Sequence, residues 1–176
     1  ASSGGPARAN GRNTPSARAP LAVARGKIEV PGGLIELAPS TAGLVAQLAV
    51  KEGDVVKPGQ LLLRLRDDDL RSELDVARSE QTLAQARRQA KADRLPALSA
   101  TASRYRQAVQ AGAADAQSLD DAEQTLRDAR ADATVASAEV AVAQRKRQQL
   151  EARLARLALH APEGGTVVQV HAHEGA

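Results

Sequence analysis

The segment GLVAQLAVKEG, residues 43–53, has a counterpart far along the chain in GTVVQVHAHEG, residues 165–175. Each copy begins with Gly, alternates apolar residues with small or polar ones, and closes on Glu-Gly. An Ala-Pro pair precedes each copy, at 38–39 and at 161–162. Alternating runs bounded by glycine predict β-strands. One strand signature therefore occurs twice, on either side of a long intervening segment.

Residues 28–65 around the first copy are typical of short strands. The runs LIEL, LVAQLAV and LLLRL are bounded by Gly, Pro and Asp. The segment KPGQ, residues 57–60, predicts a type II turn because its Gly accepts a positive φ. Turn or strand-boundary roles are predicted for Gly43, Gly53, Pro58, Gly59, Gly165 and Gly175.

After Leu65 the apolar spacing changes to the alternating four and three of a heptad repeat. Asp67–Asp69 offer a capping oxygen and negative charge for a helix N-terminus. The first series is Leu70, Leu74, Ala77, Gln81, Ala84, Arg88, Lys91, Leu95, Leu98, Ala102, Tyr105 and Val109. The second is Leu119, Ala122, Leu126, Ala129, Ala133, Ala136, Val140, Ala143, Arg147, Leu150, Leu154 and Leu157. These series predict two helices, each roughly 60 Å long, that approach closely through alanines.

The segment QAGAADAQSLDD between the two series predicts a tight connection. Gly112 suits the C′ position of the first helix, and either Asp115 or Ser118 can cap the second. Ser118 and Asp121 resemble a capping box. Because the connection is short, we expect the two helices to be antiparallel.

Two features interrupt the helical series. Pro96 removes a hydrogen bond and predicts a kink or break near Arg94–Leu95. Arg88, Lys91 and Arg147 occupy seam positions, where a buried unpaired charge is costly. Either the seam opens there or a neighbouring protomer supplies acids, and we favour opening, since long side chains can extend to water.

The predicted fold class is α+β. An antiparallel hairpin returns the chain to its starting point, so the two repeated strands are expected to pair within one small β unit. The predicted segments are a flexible linker over 1–25, a first β half over 26–66, a helical hairpin over 67–158 and a truncated second β half over 159–176.

The composition excludes several classes of function. Aromatic residues make up 1 % of the chain, Cys is absent and the formal net charge is +3. Nucleic-acid binding is not expected, because acidic residues are interleaved along both helices and no aromatic platform exists. No catalytic constellation is present, so the chain is interpreted as a non-enzyme without a cofactor.

Three segments resemble the periplasmic adaptors, or membrane fusion proteins, of the hemolysin-secretion-D (HlyD) type. GLVAQLAVKEGDVVKPGQLLLRL (43–65) and LALHAPEGGTVVQV (157–170) look like two halves of a split lipoyl or biotinyl-like domain. ARGKIEVPGGLIELAPSTAG (24–43) is similar to the branch of adaptors that serve ABC-type exporters.

The resemblance implies a periplasmic protein that is anchored to the inner membrane. Such adaptors bridge an inner-membrane transporter to an outer-membrane channel of the TolC type, and several copies assemble into a ring. Family members continue into further domains after the second half-motif, so the chain is expected to be a fragment.

The hairpin tip departs from the family pattern. Channel-docking relatives carry Arg, then Leu four positions on and Ser seven further. These positions correspond here to Arg104, Ala108 and Asp115, so only the Arg is kept. The predicted docking tip consists of Arg104, Ala108, Val109, Gly112 and Asp115.

Two alternative functions remain at the sequence level. A lipoyl or biotin carrier domain would present a modifiable Lys between its halves, and RLRDDD (64–69) offers none. A metal-binding adaptor would use His171 and His173, with His160 nearby in sequence. Two His without a third ligand fall short of a zinc site.

Overall fold

The computed structural model describes residues 24–172. The predicted linker over 1–25 lies outside the described residues except for Ala24 and Arg25, and Arg25 is the first residue of a strand. His173 and Gly175 also lie outside them.

Strands flank a long helical segment in the described range. The elements are β1 (Arg25–Val30), β2 (Gly33–Leu37), β3 (Val45–Leu48), β4 (Val55–Val56), β5 (Leu61–Leu65), α1 (Asp68–Asp93), α2 (Leu95–Gln110), α3 (Ala116–Ala155), β6 (Ala158–His160) and β7 (Gly165–His171). The mixed α and β class expected from the sequence is confirmed.

The strands form two antiparallel sheets, and each sheet draws on both ends of the described chain. One sheet has the order β2-β1-β7-β4, and the other has the order β3-β5-β6. Strand β7 pairs with β1 on one side and with β4 on the other. Strand β6 extends the second sheet by pairing with β5. The segments before and after the helices are therefore interleaved in one β unit.

The prediction that the two repeated strands pair with each other is wrong. Strand β3 lies in the second sheet beside β5, whereas β7 lies in the first. Both hydrogen-bonding edges of β7 are already occupied by β1 and β4, so no edge is left for β3. The two repeated segments therefore lie in the same β unit but are not hydrogen-bonded to each other as neighbouring strands.

Aliphatic residues from both halves of the unit form its core. One buried cluster contains Ile28, Val50, Val56, Leu62, Ala161 and Val167. A second contains Ala24, Val45, Leu63, Leu65 and Ala172. Leu159 and Val170 pack against both clusters. Neither half buries its apolar side chains alone, so burial of this surface requires closure of the unit.

Two turns of the first half are hydrogen-bonded to the second half. Gly59 has φ +79° in the turn 57–60, and its N–H donates to the carbonyl oxygen of Ala161 at 2.7 Å. Gly53 has φ +92°, and its N–H donates to the carbonyl oxygen of Val167 at 2.7 Å. The positive φ values explain why both positions hold glycine.

The helices form two arms that pack along each other. The first arm consists of α1 and α2, and the second arm is α3, which at 40 residues spans roughly 60 Å. The arms are antiparallel, because later residues of the first arm pair with earlier residues of the second. The pairs between arms are Glu73–Arg153, Arg78–Glu151, Glu80–Lys146, Lys91–Asp132 and Arg106–Glu123.

The seam between the arms follows the predicted heptad positions. The buried residues of the helices are Leu70, Leu74, Ala77, Ala84, Ala102, Leu126, Ala129, Ala136, Val140 and Leu150, and all of them belong to the two series. Tyr105 departs from the prediction, because its side chain is 38 % exposed.

The predicted break near Pro96 is confirmed. Helix α1 ends at Asp93, Arg94 lies between the helices, and α2 begins at Leu95. Pro96 thus stands in the first turn of α2, where its missing N–H would have no partner within the helix. Arg94 keeps helical dihedral angles, so the chain continues from one helix into the next.

Asp67 occupies the N-cap position of α1, but its side chain makes no capping hydrogen bond. Its Oδ2 instead accepts a hydrogen bond from Nε of Arg71 at 2.9 Å. Asp67 is only 7 % exposed, and the ion pair compensates for the burial of its charge. The carboxylate that was expected to cap the helix therefore binds the side chain of Arg71, one turn further along α1.

The three seam cations reach either solvent or an acid of this chain. Arg88 is exposed. Nζ of Lys91 lies 3.9 Å from Oδ2 of Asp132, and Nη1 of Arg147 lies 3.0 Å from Oε1 of Glu151. The prediction that the seam cations extend to water is therefore confirmed for Arg88. Lys91 and Arg147 instead form ion pairs within the chain.

Gly165→Ala is expected to destabilise the β unit by about 1–3 kcal/mol or more. The added methyl group would overlap the carbonyl oxygen of Glu29 and lie 2.7 Å from Cγ2 of Ile28. Urea denaturation of both proteins measures the difference. Gly164→Ala is the matched control, because its methyl group would lie 3.5 Å from Cδ of Pro58, an ordinary contact. Equal stability of the two variants would contradict this account of Gly165.

Candidate docking tip

Helix α2 ends at the tip in a hydrogen-bonded reversal. Gly112 has φ +72°, and its N–H donates to the carbonyl oxygen of Val109 at 3.1 Å. The N–H of Ala113 donates to the carbonyl oxygen of Ala108 at 2.8 Å. These bonds have the Schellman pattern, with glycine at C′. The backbones of Ala108 and Val109 are therefore fixed by the connection itself.

Asp115 begins the second arm. Its backbone is extended, and its Oδ1 accepts a hydrogen bond from the N–H of Ser118 at 2.7 Å. Asp115 is thus the N-cap residue, and the capping-box interpretation of Ser118 and Asp121 is wrong. Asp121 instead accepts a hydrogen bond from the side-chain amide of Gln117 at 2.8 Å.

The hydrogen bonds of the cap also act on the acidity of Asp115. Hydrogen bonds from the Ser118 side chain, and then from its backbone N–H, lower the pKa of the Asp115 carboxyl group. Both bonds favour the charged form. The tip therefore keeps a negative charge to lower pH than an ordinary aspartate would.

Arg104 is exposed on α2, one turn before the half-buried Ala108. Its Nη2 donates to Oγ1 of Thr101 at 3.2 Å. Within residues 24–172, no acid lies within ion-pair distance of its guanidinium group. The structure does not pair Arg104 with Asp115, so a partner would meet both charges separately.

An ion pair that the sequence interpretation missed joins the arms close to the tip. Nη2 of Arg106 lies 3.0 Å from Oε1 of Glu123. Alignment of the two predicted arms in antiparallel register would have brought these opposite charges together. An exposed pair of this kind contributes about 0.2–1 kcal/mol. Its main effect is on the relative position of the arms beside Arg104.

The tip therefore offers charge and shape for binding. It presents the exposed Arg104, the capped acid Asp115 and a glycine reversal between two helices. A partner recognising this surface would contact side chains whose backbone positions are fixed by the Schellman and N-cap hydrogen bonds.

The histidines singled out in the sequence are not assembled into a site in the described part of the chain. His171 lies in β7 opposite Arg25, and His160 lies in β6 opposite Leu61, in the other sheet. Across residues 24–172, no group of three or more His, Cys, Asp or Glu side chains is arranged to hold a metal ion.

None of the helices between residues 24 and 172 combines the length and apolarity that crossing a membrane requires.

No family model and no curated protein sequence matches the chain. Among solved structures, MacA from Actinobacillus actinomycetemcomitans matches with a TM-score of 0.74 and 24 % identity, over 87 % of this chain and 47 % of MacA. The membrane fusion protein Spr0693 from Streptococcus pneumoniae R6 matches with a TM-score of 0.43 and 19 % identity, over 85 % and 55 %. The periplasmic adaptor protein EmrA matches with a TM-score of 0.46 and 12 % identity, over 89 % and 67 %.

The likeness to MacA shows the fold. The alignment has a TM-score of 0.74 and includes 87 % of this chain, so it extends over both the β unit and the helical arms. The chain spans about half of the length of MacA, at 47 %. Spr0693 is described as a membrane fusion protein and EmrA as a periplasmic adaptor protein.

The lowered pKa of Asp115 predicts a specific titration. In the folded protein, NMR titration of its carboxyl carbon should give a pKa below the ordinary 3.8. The stabilisation from the cap is fully present above that ordinary value and is lost as the pH falls through the lowered pKa. Ser118→Ala should raise the pKa of Asp115, because it removes the larger cause. An unchanged pKa in this variant would contradict the assignment.

Proposed function

We propose that this chain is part of a periplasmic adaptor that bridges an inner-membrane transporter to an outer-membrane channel in a tripartite export system. The observation that carries the proposal is the β unit closed by two distant segments, from which the helical arms project. The likeness to MacA supports the proposal, because MacA has the same fold over the aligned part of the chain. In this role the protein acts by connecting partners at a fixed distance.

The arms suit a rigid spacer. Helix α3 is continuous over 40 residues, and α1 and α2 pack along it through a buried seam. Ion pairs between the arms occur close to the β unit, at Glu73–Arg153, and close to the tip, at Arg106–Glu123. Such a pair of helices keeps its length under load better than a single helix does, since each arm supports the other.

The β unit resembles a split lipoyl-like domain without the features of a carrier. In this proposal its halves are the segments 43–65 and 157–170. The helical arms occupy the connection between β5 and β6, where a carrier domain would present its modified Lys. The segment 64–69 that leads into α1 contains no Lys. A scaffold role is therefore favoured over transport of a covalent cofactor.

The finer assignments follow from the HlyD-type resemblance. The transporter is of the ABC type, which the segment 24–43 supports, and the channel is of the TolC type. Several copies form a ring in the periplasm, and the complete protein is anchored to the inner membrane. The docking surface is the tip, with Arg104 as the exposed cation and Asp115 as the acid in place of the family's Ser.

Arg104→Ala is expected to reduce contact between the tip and a TolC-type channel. A photo-crosslinking amino acid at the exposed Ala113 reports the contact in cells that produce the transporter and the channel. The yield of crosslinked channel should fall severalfold in the variant, because the cation at the docking surface is lost.

Arg88→Ala is the matched control, since Arg88 is also an exposed cation but lies in the middle of the first arm. Equal yields for both variants would remove Arg104 from the docking site. Absence of any crosslink from the unsubstituted tip would overturn the docking proposal itself.

A further inference from the structure

The helical arms carry an apolar surface outside their seam. Val76 and Leu83 on α1 are 57 % and 52 % exposed, and Val135 and Val142 on α3 are 58 % and 69 % exposed. The members of each pair are one heptad apart (83 − 76 = 7 and 142 − 135 = 7). Each helix therefore places its two exposed side chains on one face, as a second stripe beside the buried seam.

The two stripes meet in one groove. Leu83, Val135 and Val142 line it together, with a volume of about 430 Å³. Its charged lining residues are Glu80, Arg87, Glu139 and Lys146. Val76 lies in the adjoining groove, which Lys146 also lines. We call the face formed by these eight residues the groove face.

The charges of the groove face alternate in a regular way. Nζ of Lys146 lies 2.8 Å from Oε2 of Glu80, so these two residues stand at the same height on the two arms. Because the arms are antiparallel, seven residues forward on α1 correspond to seven residues back on α3. Arg87 and Glu139 are therefore also at one height (80 + 7 = 87 and 146 − 7 = 139). At the height of Glu80 and Lys146, the acid is on α1 and the base is on α3. At the height of Arg87 and Glu139, the base is on α1 and the acid is on α3.

This pattern is complementary to itself. If a second copy faces the groove with its arms parallel, Glu80 meets Lys146 of the second copy, and Arg87 meets its Glu139. If the arms of the second copy are antiparallel, Glu80 meets its Arg87, and Lys146 meets its Glu139. In both orientations acids face bases around a shared apolar centre of Leu83 and Val142.

We propose that a second copy of this chain covers the groove face, in a pair related by a twofold axis. A twofold pair uses the same surface of both copies, which is what a self-complementary face requires. A ring joins two different surfaces of each copy, so this pairing is additional to the ring and does not rest on the proposed function. It buries aliphatic side chains that are otherwise more than half exposed.

The test is the mass of the 176-residue chain in solution, measured by sedimentation equilibrium over a wide range of concentrations. The unsubstituted chain should show a monomer–dimer equilibrium. Val142→Glu should weaken the pair by at least about tenfold in Kd, because it places a charge at the apolar centre. Arg87→Glu should also weaken the pair, since an acid would then face an acid in either orientation.

Ala141→Glu is the control for Val142→Glu, because Ala141 is exposed on the same helix but does not line the groove. It should leave the dimer unchanged. Circular dichroism checks that each variant keeps its helices, as expected for substitutions at exposed positions.

Three results would overturn the pairing. These are a monomer at every concentration, a dimer that neither Val142→Glu nor Arg87→Glu weakens, and an assembly larger than two that forms without a dimer. Failure of the pairing is distinguishable from failure of the adaptor proposal, because the crosslinking experiment reads the tip and not the groove face.

Discussion

Strand β7 lies between β1 and β4, and the rest of the structure depends on that insertion. It brings Val167 into the core with Ile28, and it places the N–H of Gly53 against the carbonyl oxygen of Val167. Because β7 follows the helices in sequence, the helical arms have to return the chain to its starting point. The absence of a side chain at Gly165 allows β7 to approach β1 closely at its first residue.

The helical arms turn this closure into an elongated molecule. Their seam is rich in alanine, so the helices pack closely with little side-chain volume between them. Pro96 falls in the first turn of α2, where its cost is lowest, and the first arm continues past it. The exposed ion pairs between the arms each contribute about 0.2–1 kcal/mol, so they influence the relative position of the arms more than their stability.

Different surfaces of the arms are suited to different partners. The tip has an exposed Arg104 and a capped Asp115, and the groove face combines aliphatic side chains with alternating charges. Contact at the tip and contact at the groove face do not compete for the same residues. The two proposed contacts, with a channel at the tip and with another copy at the groove face, are therefore compatible with each other.

The sequence by itself determined the elements that depend on neighbours within about four residues. The heptad series located the seam, and Pro96 located the helix break, because helix geometry couples each residue to the next turn. The partners of the repeated strands were decided only by the tertiary structure, since pairing depends on which edges remain free once the unit has closed. The same holds for Val142, which the helical period alone does not distinguish from a solvated position.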